Sequence, residues 1–247
     1  MSAAVRPRLL VSVRNLAECE AALVGGAEIV DIKEPANGPL GMSDVSVISA
    51  ISRRMGSFVS IPGLSVALGE LREWSAERTC MPLPRAVKWS KLGFAGSAGV
   101  PNWRQTWVDL RERIEEASQR PLRWIAVAYA DHLRAQSPAL LDVLSAAVQT
   151  GCAGLLIDTY DKSSGSLLNW MTPVGLVDVV RRVREQKLPL ALAGKITRED
   201  LEWLCDLEPD IIAVRSAVCQ DGNRQRPVVA EEVAKLREQL QLVWVTA

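Results

Sequence analysis

Short apolar runs alternate with helix-spaced patterns along the whole chain. Most of these runs are rich in Val, Leu, Ile and Ala and are bounded by Gly, Pro or polar residues. Continuous apolar runs of this length are typical of strands whose two faces are both buried, as in parallel sheets. The predicted strands span residues 9–13, 28–32, 58–61, 86–91, 124–128, 154–157, 190–193 and 211–214.

A helical pattern follows every predicted strand. Asn15 is expected to cap the first helix, with Glu18 reaching back as the second half of a capping box. Thr172 and Pro173 are expected to open a later helix, because proline is favoured at the first helical position. Thr197 is expected to cap the helix after that. The predicted helices span residues 15–25, 43–55, 66–75, 103–118, 138–150, 172–187, 197–207 and 228–240.

Eight strand–helix units therefore fit into 247 residues. Strict alternation predicts a parallel sheet, and eight units favour a closed (β/α)8 barrel, or TIM barrel, over an open doubly wound sheet. The composition does not shift along the chain and no linker interrupts it, so we expect a single α/β domain over residues 1–247. In such barrels the active site lies at the carboxyl ends of the strands.

Lysine is rare in this chain and is concentrated at the predicted strand ends. The chain has 22 arginines and 7 lysines, and the lysines near strand ends are Lys33, Lys88, Lys91, Lys162 and Lys195. An amine that loses its proton attacks carbonyl carbons and forms Schiff bases, which a guanidinium does not do. The pattern favours amine catalysis. Lysines that only pair with carboxylates or bind phosphate are the alternative.

Carboxylates accompany two of these lysines. Asp31 and Lys33 are two residues apart on one strand, so their side chains share a face. Asp158 ends another strand, and Lys162 follows four residues later. A carboxylate beside an amine can move the protons that imine formation requires. A buried ion pair with a structural role is the alternative for each pair.

The loops after the seventh and eighth predicted strands are expected to bind phosphate, as they do in many barrels. They contain Gly194 and Lys195 in one loop and Arg215 and Ser216 in the other. Glycine permits close backbone approach, and arginine offers a fork of donors. The polar run over residues 220–224 is interpreted either as part of a lid or as an ordinary exposed loop.

Composition excludes several other classes of protein. The 29 basic and 29 acidic residues balance, which argues against nucleic-acid binding. No apolar run is long enough to span a membrane, and no signal peptide is recognisable, so we expect a cytoplasmic protein. Five scattered cysteines and the single histidine, His132, argue against a zinc site. We expect no metal or other cofactor, with carboxylate-bound Mg²⁺ as an alternative, and we interpret His132 as structural.

Seven sequence stretches resemble one known family. They are LLVSVRN (9–15), IVDIKEP (29–35), VKWSKLGFAG (87–96), IAVAYAD (125–131), LLIDTYDK (155–162), LALAG (190–194) and AVRSAVC (213–219). The resemblance is to the (5-formylfuran-3-yl)methyl phosphate synthase family, which makes the furan precursor of methanofuran-type one-carbon carriers. It covers nearly the whole barrel in the family's order.

The resemblance implies a cofactor-independent lyase. Such an enzyme joins two molecules of glyceraldehyde 3-phosphate by a Schiff-base, class I aldolase-like condensation, with loss of phosphate and water. The resemblance makes Lys33 the Schiff-base lysine and Lys91 the proton acceptor. Asp31, Asp158 and Lys162 match the other active-site groups.

The resemblance also implies that Gly194 and Arg215 hold phosphate, and that the protein forms a homo-oligomer. Two residues depart from the family pattern. That pattern leads us to expect a small hydroxyl residue at the position of Lys195 and a glycine at the position of Ser216. Both departures fall in the loops predicted to bind phosphate. Two alternatives stay open, namely another Schiff-base aldolase of sugar phosphates and a non-catalytic barrel that carries pyridoxal phosphate on a lysine.

Overall fold

A computed structural model describes residues 6–58 and 62–246, in which eight parallel strands close into a barrel in chain order. The eighth strand pairs with the first, where Ile211 aligns with Arg8. This topology confirms the predicted (β/α)8 fold. The strands are β1 (Arg8–Val13), β2 (Ile29–Ile32), β3 (Gly63–Glu70), β4 (Val87–Gly93), β5 (Trp124–Tyr129), β6 (Gly154–Asp158), β7 (Leu190–Leu192) and β8 (Ile211–Val214).

Helices cover the outside of the barrel. In the third helix the buried residues are Trp103, Trp107, Leu110 and Ile114, at the spacing of one helical face. Within the described residues, no helix is long and apolar enough to cross a membrane. The helices are α1 (Leu16–Val24), α2 (Val45–Met55), α3 (Trp103–Ser118), α4 (His132–Ala135), α5 (Leu140–Gln149), α6 (Leu167–Trp170), α7 (Pro173–Glu185), α8 (Leu201–Cys205) and α9 (Ala230–Thr246).

The third strand–helix unit differs from the prediction. The helix predicted over residues 66–75 is wrong, because β3 runs through the first half of that range and only a 3-10 turn, Leu71–Glu73, follows it. All the residues of β3 are buried. Its apolar pattern therefore reflects burial on both faces of a strand, which resembles the pattern of a buried helix.

The beginning of β3 also differs from the prediction. Residues 59–61 of the strand expected at residues 58–61 lie outside the described part of the chain. β3 begins at Gly63, after the predicted range has ended. A Cβ at Gly63 would lie 2.4 Å from Cζ3 of Trp89, so the bare backbone makes room for the indole of the next strand.

Side chains alternate between the two faces of the strands, as the pleat requires. In β1, Leu9, Val11 and Val13 belong to the apolar layer between strands and helices, whereas Leu10 and Ser12 line the barrel interior. Many of the apolar residues of the interior are small, including Ala67, Ala191, Ala193 and Ala213. Small side chains leave space for the polar residues at the carboxyl ends of the strands.

Two of the predicted helix caps are confirmed and one is wrong. The side chains of Asn15 and Thr172 accept backbone N–H groups at the starts of α1 and α7. The N-cap of α8 is Asp200 and not Thr197. Asp200 draws the chain into a turn before the helix, because its carboxylate accepts the N–H of Thr197 at 2.7 Å.

A substitution at Gly25, at the end of α1, tests how closely α1 packs on α9. A Cβ there would lie 2.4 Å from Cβ of Val233 and 2.6 Å from the carbonyl oxygen of Ala230. We expect Gly25→Ala to lower the free energy of unfolding by about 1–3 kcal/mol, because overpacking against backbone relaxes poorly. Urea denaturation measures this change.

Gly99→Ala is the matched control, since a Cβ at Gly99 has no atom within 4 Å. Equal unfolding free energies for the two variants would contradict the packing assigned to α1 and α9.

Candidate active site

The nine residues predicted to form a site lie around one cavity at the carboxyl ends of the strands. Strand register brings them together, because Ser12 on β1 aligns with Asp31 on β2 and Tyr129 on β5 aligns with Asp158 on β6. The loops after β7 and β8 close the ring. The cavity lining includes Asp31, Lys33, Lys91, Asp158, Lys162, Gly194, Lys195, Arg215 and Ser216.

Lys33 follows β2 directly and forms no ion pair with the described residues. Its backbone N–H donates to the carbonyl oxygen of Val13 at 3.1 Å, which extends the pairing of β2 with β1. The residue is 8% exposed. Burial lowers the pKa of the Lys33 amine to about 7, although the charges of Asp158 and Asp31 oppose this shift. A large share of Lys33 is therefore neutral near pH 7.

Lys91 and Asp31 form a buried ion pair. Nζ of Lys91 lies 2.6 Å from Oδ1 of Asp31, and the hydroxyl of Ser12 donates to Oδ2 of Asp31 at 3.2 Å. The two ions stand on β4 and β2, with β3 between them. The residues of β3 that align with Asp31 and Lys91 are Ser65 and Ala67. Their small side chains leave space for the ammonium and the carboxylate to meet.

Asp158 and Lys162 form a second ion pair, at the end of β6. Thr159 supports both partners, because its N–H donates to Oδ1 of Asp158 at 2.8 Å and its hydroxyl accepts from Nζ of Lys162 at 3.1 Å. Burial acts to raise the pKa of Asp158, but the charges of Lys162 and Lys33 outweigh it and lower that pKa. Burial lowers the pKa of Lys162 against the attraction of Asp158.

The loop that carries Lys162 is fixed from the neighbouring strand end. The buried carboxylate of Asp131 accepts the N–H groups of Tyr160 and Asp161 at 2.6 and 2.8 Å. The side chain of Asp161 pairs with Arg134 at 2.6 Å on the outer side of this loop. Lys162 therefore faces Asp158 within the cavity.

Arg215 is held by contacts with protein atoms. Its guanidinium donates to the carbonyl oxygens of Ser12 and Arg224, each at 2.8 Å, and to both carboxylate oxygens of Glu18 at 2.8 and 3.3 Å. Glu18 also accepts from Arg14, and this replaces the predicted capping-box bond to Asn15. Burial acts to raise the pKa of Glu18, but the bonds from Arg215 and Arg14 outweigh it and lower that pKa.

The other predicted phosphate-binding residues form the mouth of the cavity. Gly194 and Lys195 follow β7 with φ values of 107° and 53°. A Cβ on Gly194 would lie 2.9 Å from Cγ2 of Thr159, so the position requires glycine for both conformation and space. Ser216 begins a 3-10 turn after β8, and Lys195 forms no ion pair with the described residues.

Lys88, named near a predicted strand end, and His132, interpreted as structural, lie away from the cavity. Lys88 is exposed near the beginning of β4. His132 is the first residue of α4 and is partly exposed. Neither side chain belongs to the cavity lining.

Sequence reasoning missed one charged residue near the site and left the role of another open. Glu70, at the end of β3, accepts a hydrogen bond from the hydroxyl of Tyr129 at 2.5 Å. Burial raises the pKa of Glu70, and the bond from Tyr129 only partly offsets this. The helix predicted over this segment concealed Glu70. Arg224 belongs to the polar run over residues 220–224, interpreted from the sequence as part of a lid or as an exposed loop, and it lines the same cavity as the lysines.

A parallel barrel whose strand ends surround one cavity with buried lysines and carboxylates defines a (β/α)8-barrel enzyme. A sequence model described as 4-HFC-P synthase matches residues 9–237. The chain belongs to this family, which confirms the resemblance seen in its motifs.

Curated relatives agree with this assignment. A protein of Archaeoglobus fulgidus named (5-formylfuran-3-yl)methyl phosphate synthase is 31% identical over 234 residues, which are 94% of this chain and 98% of that protein. Proteins of the same name from Methanopyrus kandleri and Methanocaldococcus jannaschii are 29% and 28% identical. They cover 96% and 94% of this chain, over 100% and 98% of their own lengths.

Solved structures of other proteins share the fold. KGPDC from Streptococcus mutans superposes with a TM-score of 0.59 at 10% identity, over 97% of this chain and 100% of that one. The 3-hexulose-6-phosphate synthase from Salmonella typhimurium has a TM-score of 0.60 at 14% identity, over 96% of this chain and 99% of that one. Identities this low show similarity of fold alone.

A substitution at Glu18 tests the buried ion pair that holds Arg215 in place. We expect Glu18→Ala to lower the free energy of unfolding by about 3–5 kcal/mol, because it leaves the Arg215 charge buried and unpaired. Thermal or urea unfolding measures the loss.

Glu20→Ala is the control on the same helix. Glu20 pairs with Arg54 at the surface, and exposed pairs contribute little to stability, so we expect no measurable change. Equal stability of the Glu18 and Glu20 variants would show that Arg215 does not depend on its partner.

Proposed function

We propose that this chain is a (5-formylfuran-3-yl)methyl phosphate synthase that condenses two molecules of glyceraldehyde 3-phosphate. The balanced reaction releases one phosphate and two water molecules for each furan aldehyde phosphate. It is a lyase reaction of the Schiff-base, class I aldolase type. Family membership supports the product, and the lysine-rich cavity supports the mechanism. The imine nitrogen serves as the electron sink, so the mechanism uses no separate cofactor.

The state of Lys33 is the observation that carries this proposal. Lys91 and Lys162 each sit in an ion pair with a carboxylate of the cavity. Lys33 forms no such pair among the described residues, and burial brings its pKa to about 7. A buried neutral amine has the lone pair that attacks an aldehyde carbon. Lys33 therefore forms the carbinolamine, which loses water to give the imine.

Lys91 and Asp31 serve the next proton transfer. An imine on Lys33 acidifies the neighbouring C–H of the substrate, and removal of that proton gives an enamine that adds to the second aldehyde. Lys91 accepts the proton after it has passed one of its own to Asp31, 2.6 Å away. The pair then returns a proton in a later step.

Asp158 and Lys162 serve the loss of water. Their charges have opposite effects on the pKa of Lys33. The charge of Asp158 favours the protonated form of Lys33, and the charge of Lys162 favours the neutral form of Lys33. The ammonium of Lys162 donates a proton to the departing hydroxyl, and Asp158 stabilises the cationic imine that forms.

The loops after β7 and β8 hold a phosphoryl group. Gly194 permits close approach of the backbone, and Lys195 and Ser216 lie at the same mouth of the cavity. Contacts with protein atoms occupy four of the five N–H groups of Arg215, which leaves one for phosphate. A homo-oligomer and a cytoplasmic location stay predictions from the sequence.

Reductive trapping tests the function. With glyceraldehyde 3-phosphate and borohydride we expect a covalent adduct on Lys33, and without borohydride a furan aldehyde phosphate and free phosphate. Lys33→Ala should abolish the adduct and lower turnover by several orders of magnitude. Lys88→Ala, at an exposed lysine of β4, should change neither. Mass spectrometry and phosphate release provide the measurements.

Three results would contradict the proposal. An adduct unaffected by Lys33→Ala would rule out the nucleophile. A trapped adduct without any furan product would indicate a different Schiff-base aldolase. A visible aldimine absorbance in the purified protein would indicate a pyridoxal phosphate carrier.

The rate of trapping should rise with pH through a midpoint at about 7, the pKa of Lys33. Below that pH the ammonium has no lone pair, and above it the amine is free to attack. Lys162→Met should move the midpoint upward, because it removes a repelling charge and leaves Asp158 to attract the Lys33 proton. Cyanoborohydride trapping across a pH series measures both effects.

Lys88→Met is the control for this series and should keep the midpoint of the native chain. A midpoint that stays constant or falls in Lys162→Met would contradict the charge coupling between Lys162 and Lys33.

A further inference from the structure

A second, outer cleft opens from the catalytic cavity. Among the described residues, only Lys162 and Arg224 line both spaces. The wall of the outer cleft comes from the loops after β2, β5, β6 and β8. Its charged lining residues are Arg134, Asp161, Lys162 and Arg224.

Most of the charge in the outer cleft is already neutralised. Arg134 pairs with Asp161 at 2.6 Å, and Lys162 pairs with Asp158. Arg224 forms no ion pair with any described residue. Among the described residues that line the outer cleft, Arg224 is therefore the cation that remains available for an anionic ligand.

The guanidinium of Arg224 is also short of hydrogen-bond partners. Its Nε is buried and has no partner among the described residues, and its other side-chain nitrogens make no hydrogen bond there. Burial lowers the pKa of Arg224, and the charge of Asp158 opposes this shift. Burying a donor such as this Nε without a partner is unfavourable, and a bound anion would satisfy it.

The backbone fixes Arg224 in place. Its carbonyl oxygen accepts from Nε of Arg215 at 2.8 Å, so the buried pair with Glu18 anchors it indirectly. A bridge between Cys219 and Val228 closes the base of the same loop. Anchoring the backbone of Arg224 in this way reduces the entropy that is lost when its side chain binds a ligand.

We propose that Arg224 binds the phosphoryl group of the second glyceraldehyde 3-phosphate, where the catalytic cavity opens into the outer cleft. This inference rests on the proposed function, in which two phosphate monoesters must be held at once. Gly194 and Ser216, close to the ends of β7 and β8, provide for one of them. The planar fork of Arg224 matches the oxygens of the other, and it directs that aldehyde toward the enamine on Lys33.

Titration with inorganic phosphate tests this site without turnover. Calorimetry should show that Arg224→Gln weakens the binding of one phosphate per chain by about 10–100-fold, the range expected for a charge-assisted pair of hydrogen bonds. Arg224→Lys keeps the charge but not the planar fork of donors, so its phosphate affinity should lie between those of the native chain and Arg224→Gln. Arg226→Gln is the matched control, because Arg226 is exposed in the same loop and belongs to neither lining.

A second measurement separates binding from a structural role. Arg224→Gln should raise the KM for glyceraldehyde 3-phosphate, yet trap unphosphorylated glyceraldehyde on Lys33 at the native rate. Native phosphate affinity in Arg224→Gln, an equal loss in Arg226→Gln, or an equal loss of trapping with the unphosphorylated aldehyde would overturn the proposal. Failure of the native chain to make a furan would reject the proposed function and leave the phosphate titration valid.

Discussion

Two carboxylates serve three lysines inside this barrel, and the chemistry of the cavity depends on that shortage. Asp31 pairs with Lys91, and Asp158 pairs with Lys162. Lys33 interacts with both carboxylates only at longer range. An unpaired ammonium is unfavourable in a desolvated interior, and loss of its proton relieves that cost. The burial that accompanies barrel closure therefore favours a neutral amine at Lys33.

The positions of the site residues can be predicted from the sequence, and so can the pairing of Asp158 with Lys162, whereas the partner of Asp31 cannot. The carboxyl ends of parallel strands meet at one edge, so residues that follow apolar runs, such as Lys33 and Asp158, are expected to converge. Which lysine meets Asp31 depends on side chains elsewhere. Asp31 reaches Lys91, and not its near neighbour Lys33, because the intervening β3 presents small residues at that level.

The errors have physical causes as well. A strand buried on both faces carries no alternating pattern, and the sequence of β3 therefore predicts a helix. That error also conceals Glu70, which lies at the end of the strand. The place of Arg224 in the cavity escapes sequence reasoning for a different reason. That place depends on how the loop after β8 folds back over the barrel, and contacts distant in the sequence determine that path.

Arg215 connects the stability of the barrel with the shape of its active site. Its guanidinium meets Glu18 on α1 and the carbonyl oxygen of Ser12 on β1, so it joins the last strand to the first. The same group holds the carbonyl oxygen of Arg224. A lysine would neutralise Glu18, but its single ammonium lacks the planar fork that reaches all three acceptors. This geometry accounts for an arginine, and not a lysine, at the end of β8.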